Sequence, residues 1–211
     1  MSRTERPVIG RPRSFNPDQA LERALEVFWR QGYEGASLAD LTEAMGINRT
    51  SMYAAFGNKE DLFRMALARY TSGPASYVQN GLQEPTARGV AEYILNGAVN
   101  ATTTPDHPAG CLGVQGALAT GTPGRLARDA LVEWRSNGED AIRDRFVRAR
   151  AEGDLPPDTD PATLARYVAT VAYGISVQAA TGVPREALSQ VVDIALAGWP
   201  PRNESAPVPE S

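Results

Sequence analysis

The stretch Ser37–Lys59, SLADLTEAMGINRTSMYAAFGNK, constrains the fold more tightly than any other part of the chain, because it spells out two short helices and the turn between them. Ser37 is placed to cap the first helix with Asp40 three residues on, and Leu38, Leu41 and Met45 mark one apolar face at helical spacing. Gly46 ends that helix, since a residue without a Cβ enters the left-handed conformation at little cost, and Ile47 turns inward as the buried residue of the connection. Asn48 caps the second helix, which runs from Arg49 to about Phe56. Met52 and Phe56 fall on its packed face, and Arg49, Thr50, Ser51, Tyr53 and Ala54 are left to face a partner. A helix of this length spans roughly 10 Å, the height of about three stacked base pairs. The pattern predicts a recognition helix.

The punctuation continues on both sides. Asn16 caps a helix with Pro17 at its first position and Gln19 at its third; Ala20, Leu21, Ala24, Leu25, Val27 and Phe28 give it a broad apolar face, and Gly32 stops it. Asn58 caps the next, with Lys59 first and Asp61 third, and Gly73-Pro74 breaks it. Beyond, turn signals predict helices from Pro85-Thr86 to about Thr103, Ala109 to Thr120, Thr122 to Glu152, Asp160 to Thr181 and Pro184 to Trp199, with a loop at Pro105–Pro108. Neither strand alternation nor a repeat of 20 to 50 residues is present. The expected fold class is all-α, with about nine helices.

From Gly46-Ile47-Asn48-Arg49-Thr50-Ser51-Met52-Tyr53 through Ala54-Ala55-Phe56-Gly57-Asn58-Lys59-Glu60-Asp61-Leu62-Phe63 the chain resembles the helix-turn-helix signature of the TetR family of bacterial transcriptional regulators. There a glycine, an aliphatic residue, a polar cap and basic or small residues lead into hydrophobic-Tyr-x-x-Phe, a small turn and Lys-Glu-x-Leu. The chain departs from the pattern at Ala54-Ala55, where many members carry histidine or another polar residue. The likeness covers the first seventy residues and extends beyond them only in architecture.

This resemblance implies a ligand-responsive, sequence-specific DNA-binding regulator, a repressor released from a palindromic double-stranded operator by a small-molecule effector. It implies four parts: a flexible basic arm at 1–15, a three-helix DNA-binding head at 16–58, an effector-binding and dimerisation body at 59–200, and a disordered tail at 201–211. By the same resemblance Tyr53 and Lys59, joined by Ser37 or Leu38, would clamp phosphates, and Arg49, Thr50 and Ser51 would read base edges in the major groove. Arg11 and Arg13, in Gly10-Arg11-Pro12-Arg13, resemble a minor-groove hook.

Charge placement agrees with a DNA-binding end. The net charge is −4, yet residues 1–13 hold four arginines against one glutamate, while residues 71–211 hold eleven arginines against sixteen acids. One cysteine excludes an internal disulfide, and one histidine with one cysteine cannot furnish a conventional four-ligand zinc site. No metal or cofactor is expected. With no signal peptide or membrane span in the pattern, a cytoplasmic protein without membrane contact is the expectation.

In the body, apolar helices carry isolated polar or aromatic residues that could line a ligand pocket: Tyr93, Asn96, Asn100, Cys111, Gln115, Trp134, Asn137, Tyr173 and Gln178. Taken singly, each also suits core or surface. Leu164, Val168, Val171 and Ile175, matched by Leu188, Val191, Val192 and Leu196, make two stripes at three- to four-residue spacing that suit a homodimer interface; a monomer could bury them internally. Two alternatives stand beside the regulator. One is an all-α enzyme acting on a small apolar substrate through His107 or Cys111; the other is a helical adaptor whose helix-turn-helix is purely structural.

Overall fold

A helix leaves its first N–H groups without acceptors, and at six helix starts this chain places a side-chain oxygen there. The computed structural model describes residues 15–115 and 124–200. Ten helical segments occur there: α1 (Pro17–Gly35), α2 (Leu38–Met45), α3 (Arg49–Phe56), α4 (Lys59–Ser72), α5 (Tyr77–Gly81), α6 (Ala87–Thr103), α7 (Leu112–Gln115), α8 (Arg125–Ala151), α9 (Pro161–Ala180) and α10 (Arg185–Ala197). No strand is found among the described residues. Asn16 accepts from Asp18 N at 2.9 Å, Asn48 from Ser51 N at 2.8 Å, Thr86 from Gly89 N at 3.0 Å and Asp160 from Thr163 N at 3.1 Å. Ser37 with Asp40, and Asn58 with Asp61, form reciprocal capping boxes.

Gly46, at φ +67°, closes α2 in the left-handed conformation and sets the angle of the turn into α3. Gly32, at φ +71°, breaks the regular course of α1 where the sequence predicts its stop. The segment that sequence reading omits is α5. Its five residues are too few to show a period, and they lie between the Gly73-Pro74 break and the cap at Thr86.

Two apolar clusters organise the chain. The first packs α1 to α4 around Phe28, Trp29, Leu41, Met52, Phe63 and Tyr70, and takes in Cys111, Leu112 and Leu131 from the body. The second packs α6, α8, α9 and α10 around Ile94, Leu95, Phe146, Val168, Ile175, Val192 and Trp199. Helix α8, 27 residues and roughly 40 Å long, belongs to both: Ala127 and Leu131 near its start lie in the first, Ile142 and Phe146 further on in the second.

The second cluster changes the reading of the association stripes. Val168, Ile175, Leu188, Val192 and Leu196 are buried within the protomer, and Leu164 and Val171 are half-buried against the same core. Helical spacing identifies a face that is covered, not which neighbour covers it. Outward-facing apolar residues on these helices are Tyr167, Val177, Val191 and Ile194, the last 75% exposed. Among the described residues no helix is long and apolar enough to cross a membrane.

Candidate nucleic-acid interface and enclosed cavity

Met52 and Phe56 anchor α3 in the first core, so its opposite side must face solvent. Arg49, Thr50, Tyr53 and Ala54 are exposed and Ser51 is half-buried, with Tyr53 keeping 48% of its surface. Ser37 is exposed at the start of α2 beside half-buried Leu38. Its hydroxyl is engaged with Asp40 N, which leaves the first-turn amides of Leu38 and Ala39 open to an anion. Lys59 opens α4, and its Nζ lies 4.4 Å from the centre of the Tyr33 ring. Burial pushes the Lys59 ammonium below the usual lysine range, and the Glu34 carboxylate pulls it back up. Arg11 and Arg13 lie outside the described residues.

The body holds a partly enclosed cavity of about 240 Å³, with exposed Gln79 and Asn137 at its rim. Trp134, Asn137, Gly138 and Ile142 of α8 form one wall, Ala169, Ala172, Tyr173 and Ser176 of α9 a second, and Thr71, Tyr77, Val78, Gln79, Ile94 and Cys111 complete the lining. Trp134 donates from Nε1 to Thr71 Oγ1 at 2.8 Å, which joins this wall to α4. Two glycines make room for the aromatic walls. A Cβ on Gly97 would meet the Tyr77 ring at 2.6 Å, and one on Gly113 would run into the Trp134 ring. Burial pushes the phenols of Tyr70, Tyr77 and Tyr173 up, Tyr173 to about 12, and also raises the Cys111 thiol.

Between these two regions the contacts are direct. Tyr70 of α4 donates to Cys111 Sγ at 3.0 Å; Trp29 of α1 donates from Nε1 to Gly110 O at 3.2 Å and meets Tyr70 edge-on at 4.8 Å. The His107 ring stacks on Trp29 at 5.6 Å. Glu34 of α1 accepts from Gly124 N at 3.1 Å.

Comparison with known proteins agrees with this arrangement. Residues 20–66 match the family model described as bacterial regulatory proteins, tetR family, and residues 92–193 match tetracyclin repressor-like, C-terminal domain. The HTH-type transcriptional repressor ComR of Escherichia coli is 32% identical over 194 residues, covering 90% of this chain and 92% of ComR. The chain belongs to the TetR family. It is a DNA-binding transcriptional repressor, and the enzyme alternative falls with that assignment. A solved structure of a TetR-family relative, a cysteine-substituted CifR complexed with 26-base-pair double-strand operator DNA, is 48% identical, with a TM-score of 0.86 over 90% of this chain and 100% of that one. A TetR regulator from a Rhodococcus species is 43% identical, with a TM-score of 0.61 over 86% of this chain and 98% of its own.

Within this TetR-family body the structure divides the ligand candidates. Cys111, Trp134, Asn137 and Tyr173 meet at the enclosed cavity, whereas Tyr93, Asn96 and Asn100 line a more open groove of about 630 Å³ on the outer side of α6. Gln178 is exposed, and the side chain of Gln115 lies outside the described residues. Thr71, Tyr77 and Ser176 line the cavity without having been candidates. Tyr77 could not have been found, because α5 itself left no periodic signal; Thr71 could, as a hydroxyl next to buried Tyr70 near the end of α4. His107 does not line the cavity but a shallow cleft with Glu22 and Arg69. Among the described residues no group of three metal-ligating side chains occurs.

Proposed function

We propose that the protein acts in the cytoplasm as a homodimer that binds a palindromic operator and leaves it when a small molecule fills the enclosed cavity. The observation that carries this reading is the division of α3 into a buried side, Met52 and Phe56, and an exposed side, Arg49, Thr50 and Tyr53. Residues 16–58 are the DNA-binding unit in this reading, and 59–200 the effector and dimerisation unit. Arg49, Thr50 and Ser51 address base edges, while Tyr53, Lys59 and the start of α2 at Ser37 and Leu38 hold phosphates. The operator complex of CifR supports that assignment.

A single helix of eight residues reads too few base pairs for a useful specificity ratio. Two copies whose recognition helices stand about 34–36 Å apart read successive major grooves. The exposed apolar residues Val191 and Ile194 of α10, with Tyr167 and Val177 of α9, support pairing through these helices. Effector action is a population shift: a molecule buried between α8 and α9 favours a body conformation whose heads no longer match that separation.

The test is fluorescence anisotropy with DNA flanking the protein's own gene against scrambled DNA at several salt concentrations. Selective binding to a palindrome, weakened by Tyr53→Ala and by Lys59→Ala, is expected. Equal, weak binding to both DNAs that vanishes at moderate salt would leave only nonspecific electrostatics and overturn the reading.

A further inference from the structure

We propose that the enclosed cavity selects a small uncharged molecule carrying a hydrogen-bond-accepting oxygen, received by the hydroxyls of Tyr77 and Tyr173. The inference rests on the effector reading of this cavity and adds the chemistry of what enters it.

Size comes first. The cavity, about 240 Å³, is below the range of about 300–1,000 Å³ that accommodates drug-sized ligands.

Charge comes second. No Asp, Glu, Lys, Arg or His is among the described residues that line it, so an ion would shed its water without a counter-charge in direct contact. Two charged groups act on the lining from outside it, Arg135 on Tyr173 and Cys111 and Glu139 on Tyr173. Arg135 donates from Nη1 to Gly113 O at 2.7 Å, and Glu139 pairs with Arg166 at 2.9 Å.

Hydrogen-bonding capacity comes third. Thr71 receives the Trp134 N–H and donates to Leu67 O, Ser176 donates to Ala172 O, and the Cys111 sulfur receives the Tyr70 O–H. The hydroxyls of Tyr77 and Tyr173 have no hydrogen-bond partner among the described residues, although both rings line the cavity. Each of the two phenols lies close enough to Cys111, and Tyr77 to Tyr173, for their charges to interact, which places these groups around one space. A phenol is protonated at neutral pH even in water, and burial pushes both of these further up, so they are O–H donors. The side-chain amides of Asn137 and Gln79, both exposed residues, also line the cavity, and Tyr77 lines the outer groove as well. Deeper in, the two phenolic donors without protein acceptors call for a ligand that brings the acceptor.

The test uses the full-length protein and three probes on one carbon skeleton: 2-heptanone, heptanoate and 2-aminoheptane. Binding is followed by tryptophan fluorescence, since Trp134 forms part of the wall, and by thermal shift. The ketone is expected to bind at least about tenfold more tightly than either ion, and Tyr77→Phe and Tyr173→Phe are each expected to weaken it about tenfold, as a lost buried hydrogen bond requires. Both phenylalanine variants keep the ring, and their unfolding without ligand shows whether the fold is intact. No ketone binding, equal binding of an ion, or ketone binding indifferent to both substitutions overturns the inference. Operator release, measured separately, distinguishes the two levels. A ketone that binds as expected but leaves operator affinity unchanged defeats the effector reading alone. Release by heptanoate through the same cavity defeats the ligand class alone.

Discussion

At the scale of single residues, the DNA-facing side chains differ in what they would recognise, and their substitutions should differ accordingly. Arg49→Ala is expected to cost about 1–3 kcal/mol on the cognate operator and to relax discrimination at one base pair, because an arginine fork reads a guanine edge. Lys59→Ala should weaken all sequences alike and flatten the salt dependence, because a phosphate contact carries no sequence information. Anisotropy titrations on single-base operator variants separate the two outcomes. Cys111 makes a pH prediction. Burial raises its thiol above the ordinary range, so the folded state resists forming the thiolate and the unfolded state releases the proton first. The contribution to stability is therefore complete below the ordinary thiol pKa of about 8.5 and declines as pH rises beyond it. Iodoacetamide at pH 8 should label the native protein at least about tenfold more slowly than the urea-unfolded chain, with the native rate still climbing at higher pH.

At the scale of elements, what the sequence reveals depends on whether the determining interactions are local. The caps at Asn16, Ser37, Asn48, Asn58, Thr86 and Asp160 all act within three residues, and each helix start they announce is present. The exposed side of α3 is legible for the same reason: Met52 and Phe56 can lie only on one side of eight residues. The cavity is a different problem. Its lining comes from five helices and a loop, so Trp134 and Tyr173 become neighbours only through packing that no local pattern encodes. Tyr93, Asn96 and Asn100 share a helix with Ile94, yet they face the outer groove. Element contact also explains a glycine. Gly113 of α7 lies against the Trp134 ring of α8, so Gly113→Ala should displace the indole, shift tryptophan emission and lower Tm. An unchanged spectrum would mean that α7 yields without moving the wall.

At the scale of the whole molecule, α9 and α10 leave an apolar outer strip that the protomer itself does not cover. Ile194 is the most exposed large apolar residue there, and Val191 lies one turn before it. Ile194→Glu is expected to shift the sedimentation coefficient toward the monomer and to abolish palindrome-selective binding while leaving helix content intact. Retention of the dimer would move the interface elsewhere. The stripes at Val168, Ile175, Leu188 and Val192 show why this was not legible in advance: inward and outward apolar faces have the same period.

One planar unit joins the two ends of the mechanism. The carbonyl of Gly110 receives the Trp29 indole of the head, and the next Cα bears the thiol that lines the cavity. Carbonyl and Cα belong to the same peptide group, which resists twisting about its C–N bond. A molecule that shifts the Cα of Cys111, rather than only turning its thiol about χ1, tilts that plane and swings the oxygen away from Trp29 as a rocker moves about its pivot. Trp29→Phe keeps an aromatic ring but removes the N–H that senses the tilt. Operator affinity without ligand should survive this change, while the ligand concentration needed for release should rise, a difference that paired anisotropy titrations with and without cavity ligand would measure directly.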